Sequence, residues 1–276
     1  MSFDESTDRF ATWFKSLPAA SISPLIEIVD LRDRGAGRGI SGPTLSHQCS
    51  SEISAKIVLV AKQDIPPDTE LFRIPREAIM SVETSNLREL VPGVFDEQQN
   101  DSLDGEMSSS LNSWDGLILV MLYEFFRGSE SPWFEYFAVL PTEFETPMFW
   151  SDAELDELQA SHTRSKIGKE EATGMFQSTM VPIIRKYEDV FAGSRDLNDQ
   201  QLIEMAHRMG STIMAYAFDL ENEDEEVDNA EDGWVEDKDD KSLMGMVPMA
   251  DILNADAEFN VRHYLFPASD VIIADS

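Results

Sequence analysis

The residues of this chain that could do chemistry are few, and their spacing excludes several reaction classes. There is no GxSxG nucleophile elbow, no phosphate-cradling P-loop and no HExxH zinc site. The histidines His47, His162, His207 and His263 are scattered, and His207, on a helix, reads as a surface residue rather than a catalyst. Cys49 is the only cysteine, so neither an intramolecular disulfide nor a cysteine-based zinc cluster is available, and no metal is expected. Two stretches remain. Arg34-Gly35-Ala36-Gly37-Arg38-Gly39 allows tight turns and close approach of backbone groups to a ligand, because glycine tolerates positive φ; alone, such a GxG is more often an ordinary turn. Met246 to Asn254 is a short apolar run that closes on Asp251 and Asn254, directly after an acidic segment. Taken by itself, an asparagine in that place is a turn residue.

The elements that must position these stretches come in the order strands, helices, strands. Phe10, Trp13, Phe14 and Leu17 fall on one helical face that stops before Pro18. Leu25 to Leu31, Ile57 to Ala61 and Glu70 to Ile74 read as strands, with a turn at Pro66-Pro67-Asp68 and a polar loop over Ser41 to Ser54. Ser113 is the expected N-cap of a helix from Trp114 to Arg127, apolar all round and therefore central, with Gly128 as its stop. Ser151 and Glu154 have capping-box spacing. A longer helical pattern from Ile167 to Phe191 should kink or break at Pro182. Asn198 suits the cap of a further helix whose stripe is Leu202, Met205, Met209, Ile213, Tyr216 and Leu220. Strands are expected again at Asn260 to Phe266 and Val271 to Ile273.

With 276 residues and 42% apolar composition, the chain can bury a sizeable core. Its 53 acidic against 21 basic residues give a net charge of −32, which repels nucleic acid and anionic lipid and attracts a basic protein. Glu221 to Lys241 holds twelve acidic residues and two lysines and reads as a disordered, solvated loop. No apolar run is long enough for a transmembrane helix. A single cysteine suits a reducing compartment, and the nucleus or cytoplasm is the expected location.

Four segments together resemble the SET-domain protein lysine methyltransferases, in the subfamily of Rubisco, fungal ribosomal-protein and animal nuclear lysine methyltransferases. Ala36-Gly37-Arg38-Gly39 resembles the family's N-terminal cofactor loop. Ser131 to Phe137, with Leu140-Pro141 and Pro147 to Trp150, resembles its helical insert, and Ile213 to Phe218 the insert's last helix. Met246 to Asn254 resembles the segment that cradles the cofactor's adenosine. The resemblance implies an α+β chain: a β-rich SET fold split by a large helical insert. Its parts would be an N-terminal SET part over 1–81, the insert over 82–240 ending in the acidic loop 221–241, and a C-terminal SET part over 242–276.

It also implies S-adenosylmethionine as cofactor, held by Ala36, Gly37, Arg38, Trp133, Tyr216, Asn254 and Ala255, with Trp133 and Tyr216 also facing the target lysine. Ala255 stands where the family usually has histidine; that histidine meets adenine through its backbone, which alanine also supplies. The fourteen-residue polar loop after Ile40 is a second departure, either a harmless insertion or a gene-model error. In the family, a tyrosine in a Gly-Glu…Tyr-Gly segment after the final strand aligns methyl group and amine. Tyr264 is too early for it, so no catalytic residue is expected within the chain, and the SET domain is expected to be truncated, as a fragment or an incomplete gene model. The implied function is methyl transfer to a lysine of a basic protein, a ribosomal protein being favoured, with no direct contact to nucleic acid or membrane. The rivals are a catalytically inactive SET module that binds cofactor or basic peptide, and an acidic chaperone for basic proteins.

Overall fold

The computed structural model describes residues 3–30, 38–40, 59–61, 65–95, 111–159, 161–220, 243–253, 261–266 and 269–274; for 29–30, 38–40, 59–61, 165, 261–266 and 269–274 it describes backbone only. The acidic segment 221–241, the polar loop 41–54 and most of the glycine turn lie outside these residues. The chain forms two compact units. One comprises Met1–Met80, Glu135–Val139 and Met246–Ser276; the other comprises Ser81–Phe134 and Leu140–Gly245.

The first unit is β-rich. A four-stranded antiparallel sheet runs in the order Ser21–Ile22, Glu70–Pro75, Ser269–Ala274, Val261–Phe266. The central strand, Glu70–Pro75, buries Leu71, Phe72 and Ile74, and its register shifts between Glu70 and Phe72. A three-stranded antiparallel sheet places Ile26–Asp30 between Arg38–Ile40 and Leu59–Ala61. Arg38 and Gly39, expected in a turn, are therefore strand residues paired with Asp30 and Val29. The helix Phe3–Ser16 buries Phe10 and Phe14 along one face, as their spacing predicts, and Phe10 lies 6.0 Å from the Tyr136 ring. Asp68 sits at φ 60° in the turn after Pro67, a conformation that aspartate tolerates better than most residues.

The second unit is helical around Ser113–Phe126, in which every residue from Asp115 to Glu124 is buried. Its N-cap is Asn112 rather than Ser113: the Asn112 side chain accepts from the Asp115 backbone N–H, and asparagine and serine compete for such a position on nearly equal terms. Gly128, at φ 54°, terminates the helix as expected. The helix Asp199–Tyr216 packs against it, capped by an Asn198–Gln201 capping box. A Cβ on Gly210 would stand 2.8 Å from Trp114 Cζ2, so glycine is what lets these two helices approach. The Ser151–Glu154 capping box is present. At Pro182 the helical path neither stops nor kinks freely: Lys169–Met175 leads through a π-helical turn, Phe176–Met180, into Val181–Lys186, which absorbs the donor that proline lacks. The helix Asp199–Tyr216 ends earlier than its stripe predicts. Ala217–Leu220 is a strand paired with Leu243–Met246, so Leu220 is buried from a strand.

Candidate functional site

In the first unit, the segment from Met246 to Leu253 leaves its strand and tightens into a single turn. Met246 exchanges two backbone hydrogen bonds of 2.9 Å with Met80, which anchors the strand's end. Val247, Met249, Ala250 and Ile252 are buried, so the apolar run is packed on nearly every side. Ala250–Ile252 forms a 3₁₀ turn, entered through Met249 at φ 77°, ψ −40°. For a residue with a Cβ this conformation costs roughly 1–3 kcal/mol and persists only where the surroundings enforce it. The backbone of the strand Arg38–Ile40 lies against this turn. Two stretches singled out in the sequence, more than two hundred residues apart, thus meet in one unit.

Asp251 gives the turn its charge. The Tyr136 hydroxyl donates to Asp251 Oδ2 at 2.6 Å, a bond spanning 115 residues. Part of Asp251 stays accessible, but its Oδ1 is sealed from solvent and receives no regular hydrogen bond. Burial pushes the carboxyl up to about 7; the Tyr136 hydroxyl and the nearby backbone N–H groups of residues 251, 249 and 252 only partly offset it. Tyr136 is itself fully buried, against Phe10, and the neighbouring Glu135 is salt-bridged to Arg9 at 2.5 Å. Sequence reasoning missed this pair. Tyr136 stood inside a motif quoted for the insert, and Asp251 was noticed only as the polar close of an apolar run.

In the second unit, Trp133 is 2% exposed, held where a buried carboxylate organises its loop. Glu124, 1% exposed, accepts from Ser85 Oγ at 2.9 Å, from Ser131 Oγ at 2.8 Å and from Arg127 at 2.9 Å. Ser131 Oγ in turn accepts from the Trp133 backbone N–H. Tyr216 is half-buried as the last residue of its helix. His207 is not a surface residue: it is half-buried, 2.8 Å from Thr173 Oγ1 and edge-on to Phe176, and burial lowers its pKa. Arg38 is described by backbone alone; Ala36, Gly37, Asn254 and Ala255 lie outside the described residues. No cluster of metal-ligating side chains occurs among the described residues.

Comparison with known proteins bears on the same segments. No protein-family model matches the chain. It is 32% identical over 260 residues to ribosomal lysine N-methyltransferase 4 of Saccharomyces cerevisiae, covering 92% of this chain and 46% of that protein. It is 29% identical over 209 residues to the N-lysine methyltransferase SETD6 of Rattus norvegicus, covering 74% and 39%. The fold matches the SET domain of LSMT bound to lysine and AdoHcy with a TM-score of 0.58 at 19% identity, over 100% of this chain and 51% of that one. Rubisco LSMT bound to AdoMet gives 0.58 at 17% identity, over 97% and 49%. The chain thus spans less than half the length of these curated relatives. The α+β architecture is SET-like, in agreement with the sequence resemblance, and the chain belongs to the SET-domain protein lysine methyltransferase family.

Proposed function

We propose that this chain carries part of an enzyme that transfers a methyl group from S-adenosylmethionine to a lysine side chain of a basic protein, a ribosomal protein foremost. The observation that carries the reading is the meeting, in one unit, of the Arg38–Ile40 strand with the strained, buried turn Ala250–Ile252. A packed turn with an enforced conformation and an unpartnered buried oxygen at Asp251 fits a segment built to meet a polar ligand. In this reading Ala36, Gly37 and Arg38 receive the cofactor's amino-acid end, and Asn254 and Ala255 its adenosine. Bound there, the cofactor supplies an electrophilic methyl on a sulfonium.

The nucleophile must be the neutral amine, and with a free pKa near 10.4 only about one lysine in a thousand is neutral at pH 7.4. An apolar, desolvated approach lowers that pKa, and alignment of nitrogen, carbon and sulfur supplies most of what remains. The lysine ammonium would give its proton to solvent before attack, and an N–C bond formed as the C–S bond broke would leave a methylammonium and a neutral thioether. The surface charge supports a basic substrate, since a net −32 speeds encounter with a cationic partner; the yeast relative's name supports a ribosomal one. A lone cysteine is compatible with the proposed setting in nucleus or cytoplasm. The test is incubation with radiolabelled S-adenosylmethionine and purified ribosomal proteins, followed by hydrolysis and amino-acid analysis. Labelled methyl-lysine is expected; cofactor binding without any labelled lysine would refute the transferase reading.

A further inference from the structure

The Tyr136–Asp251 pair belongs to no role assigned so far, yet it is the one hydrogen bond between two side chains described for the turn Ala250–Ile252. Its geometry is demanding. Both partners are built into elements that tolerate little movement: Tyr136 is fully buried in the short helix Phe134–Phe137, packed on Phe10, and Asp251 sits in the middle of the 3₁₀ turn. Residues Glu135–Val139 join the β-rich unit although the chain on either side belongs to the helical one, so this short excursion delivers Tyr136 to the turn. Met249 precedes Asp251 by two residues in a backbone conformation that needs enforcement. Of the turn's backbone bonds, Leu253 N–H to the Ala250 carbonyl is ordinary at 3.0 Å, but those of Asp251 N–H to the Val247 carbonyl at 3.2 Å and Ile252 N–H to the Met249 carbonyl at 3.4 Å lie at or beyond the long end of the usual range and do not supply it alone. Asn254 follows the turn by two residues in the sequence.

We propose that Tyr136 and Asp251 form a positioning latch that fixes the turn Ala250–Ile252 against the Arg38–Ile40 strand and thereby sets affinity for S-adenosylmethionine. Neither residue is a catalytic residue; both act through the backbone they hold. The affinity part rests on the methyltransferase reading, whereas the latch itself does not. Removing the hydroxyl takes from a buried carboxyl its one side-chain donor, and removing the carboxyl leaves the strained turn untied from Tyr136. An asparagine at 251 keeps an acceptor for Tyr136 and should act as the rescuing variant.

The experiment compares the unsubstituted chain with Tyr136→Phe, Asp251→Ala and Asp251→Asn, by calorimetric titration with S-adenosylmethionine and by amide hydrogen exchange over residues 249–253. Tyr136→Phe and Asp251→Ala should each weaken binding about tenfold, the equivalent of one lost hydrogen bond in a dry site, and accelerate exchange in that peptide; Asp251→Asn should stay near the parent in both. If the parent does not bind S-adenosylmethionine, the functional reading fails, and faster exchange in Tyr136→Phe still supports the latch. If exchange and affinity in Tyr136→Phe match the parent, or if Asp251→Asn is as damaging as Asp251→Ala, the latch is overturned.

Discussion

Replacing Asp251 by asparagine turns the buried carboxyl into a measurable pH dependence of stability. Burial raises its pKa from 3.8 to about 7, with no cationic side chain among the causes. The sign follows from linkage. Below about pH 4 both the folded and the unfolded chain hold the proton, and the group contributes nothing. Between about pH 4 and 7 the unfolded chain releases it and the folded chain does not, so stability falls as pH rises, and above about 7 the loss is constant. A rise of about 3 units corresponds to roughly 4 kcal/mol at full extent, of which about 2 kcal/mol develops between pH 5.5 and 8. Asparagine carries no charge, and whatever its amide costs beside Tyr136 is independent of pH. Urea denaturation of both chains across pH 5.5 to 8 isolates the effect, because the titration of all other groups cancels in the difference. Asp251→Asn should gain about 2 kcal/mol relative to the parent over that range, levelling off above about pH 7. A difference that stays flat from pH 5.5 to 8 would refute the claim that Asp251 is buried without a compensating charge.

Other expectations concern the helical unit. Glu124→Ala should destabilise by roughly 3–5 kcal/mol in chemical denaturation, since it strands Arg127 and two buried serine hydroxyls, while Glu124→Gln should cost distinctly less. Gly210→Ala should lower stability by about 1–3 kcal/mol, despite alanine's better helix propensity, because its Cβ would meet the Trp114 ring at 2.8 Å; an unchanged thermal midpoint would show that the ring yields freely. Asn112→Ala should cost about 1 kcal/mol and Ser113→Ala close to nothing; the reverse order would return the cap to Ser113.

What was legible in the sequence was local. The capping box at Ser151, the cap at Asn198 and the stop at Gly128 depend on residues within a turn or so of each other, and each is present. The continuous apolar run of Ser113–Phe126 marked its central place for the same reason. Misreadings arose where two local signals were of nearly equal strength, as with Asn112 and Ser113, or where a helical stripe ran on into a strand, as at Ala217–Leu220. The π-helical turn before Pro182 shows a third cause, since proline announces a missing donor but not how the chain accommodates it. At the candidate site, the apolar run from Met246 was visible as a segment, but its pairing with Tyr136 was not. A bond across 115 residues leaves no periodicity, and neither partner looks unusual alone. His207 was misjudged because a lone polar residue on a helix says nothing about the Thr173 and Phe176 that meet it.

The chain passes between its two units at residues 80/81, 134/135, 139/140 and 245/246. That threading has a kinetic consequence. The four-stranded sheet of the β-rich unit needs Ser269–Ala274 beside Glu70–Pro75, so during synthesis that edge of Glu70–Pro75 waits, unpaired, until a partner far along the chain has been made. The helical unit, whose residues all precede that partner in the sequence, can condense first. Glu70–Pro75, apolar and destined for the middle of a sheet, spends that interval as an open edge. It is the segment at which misassembly and aggregation during folding should begin.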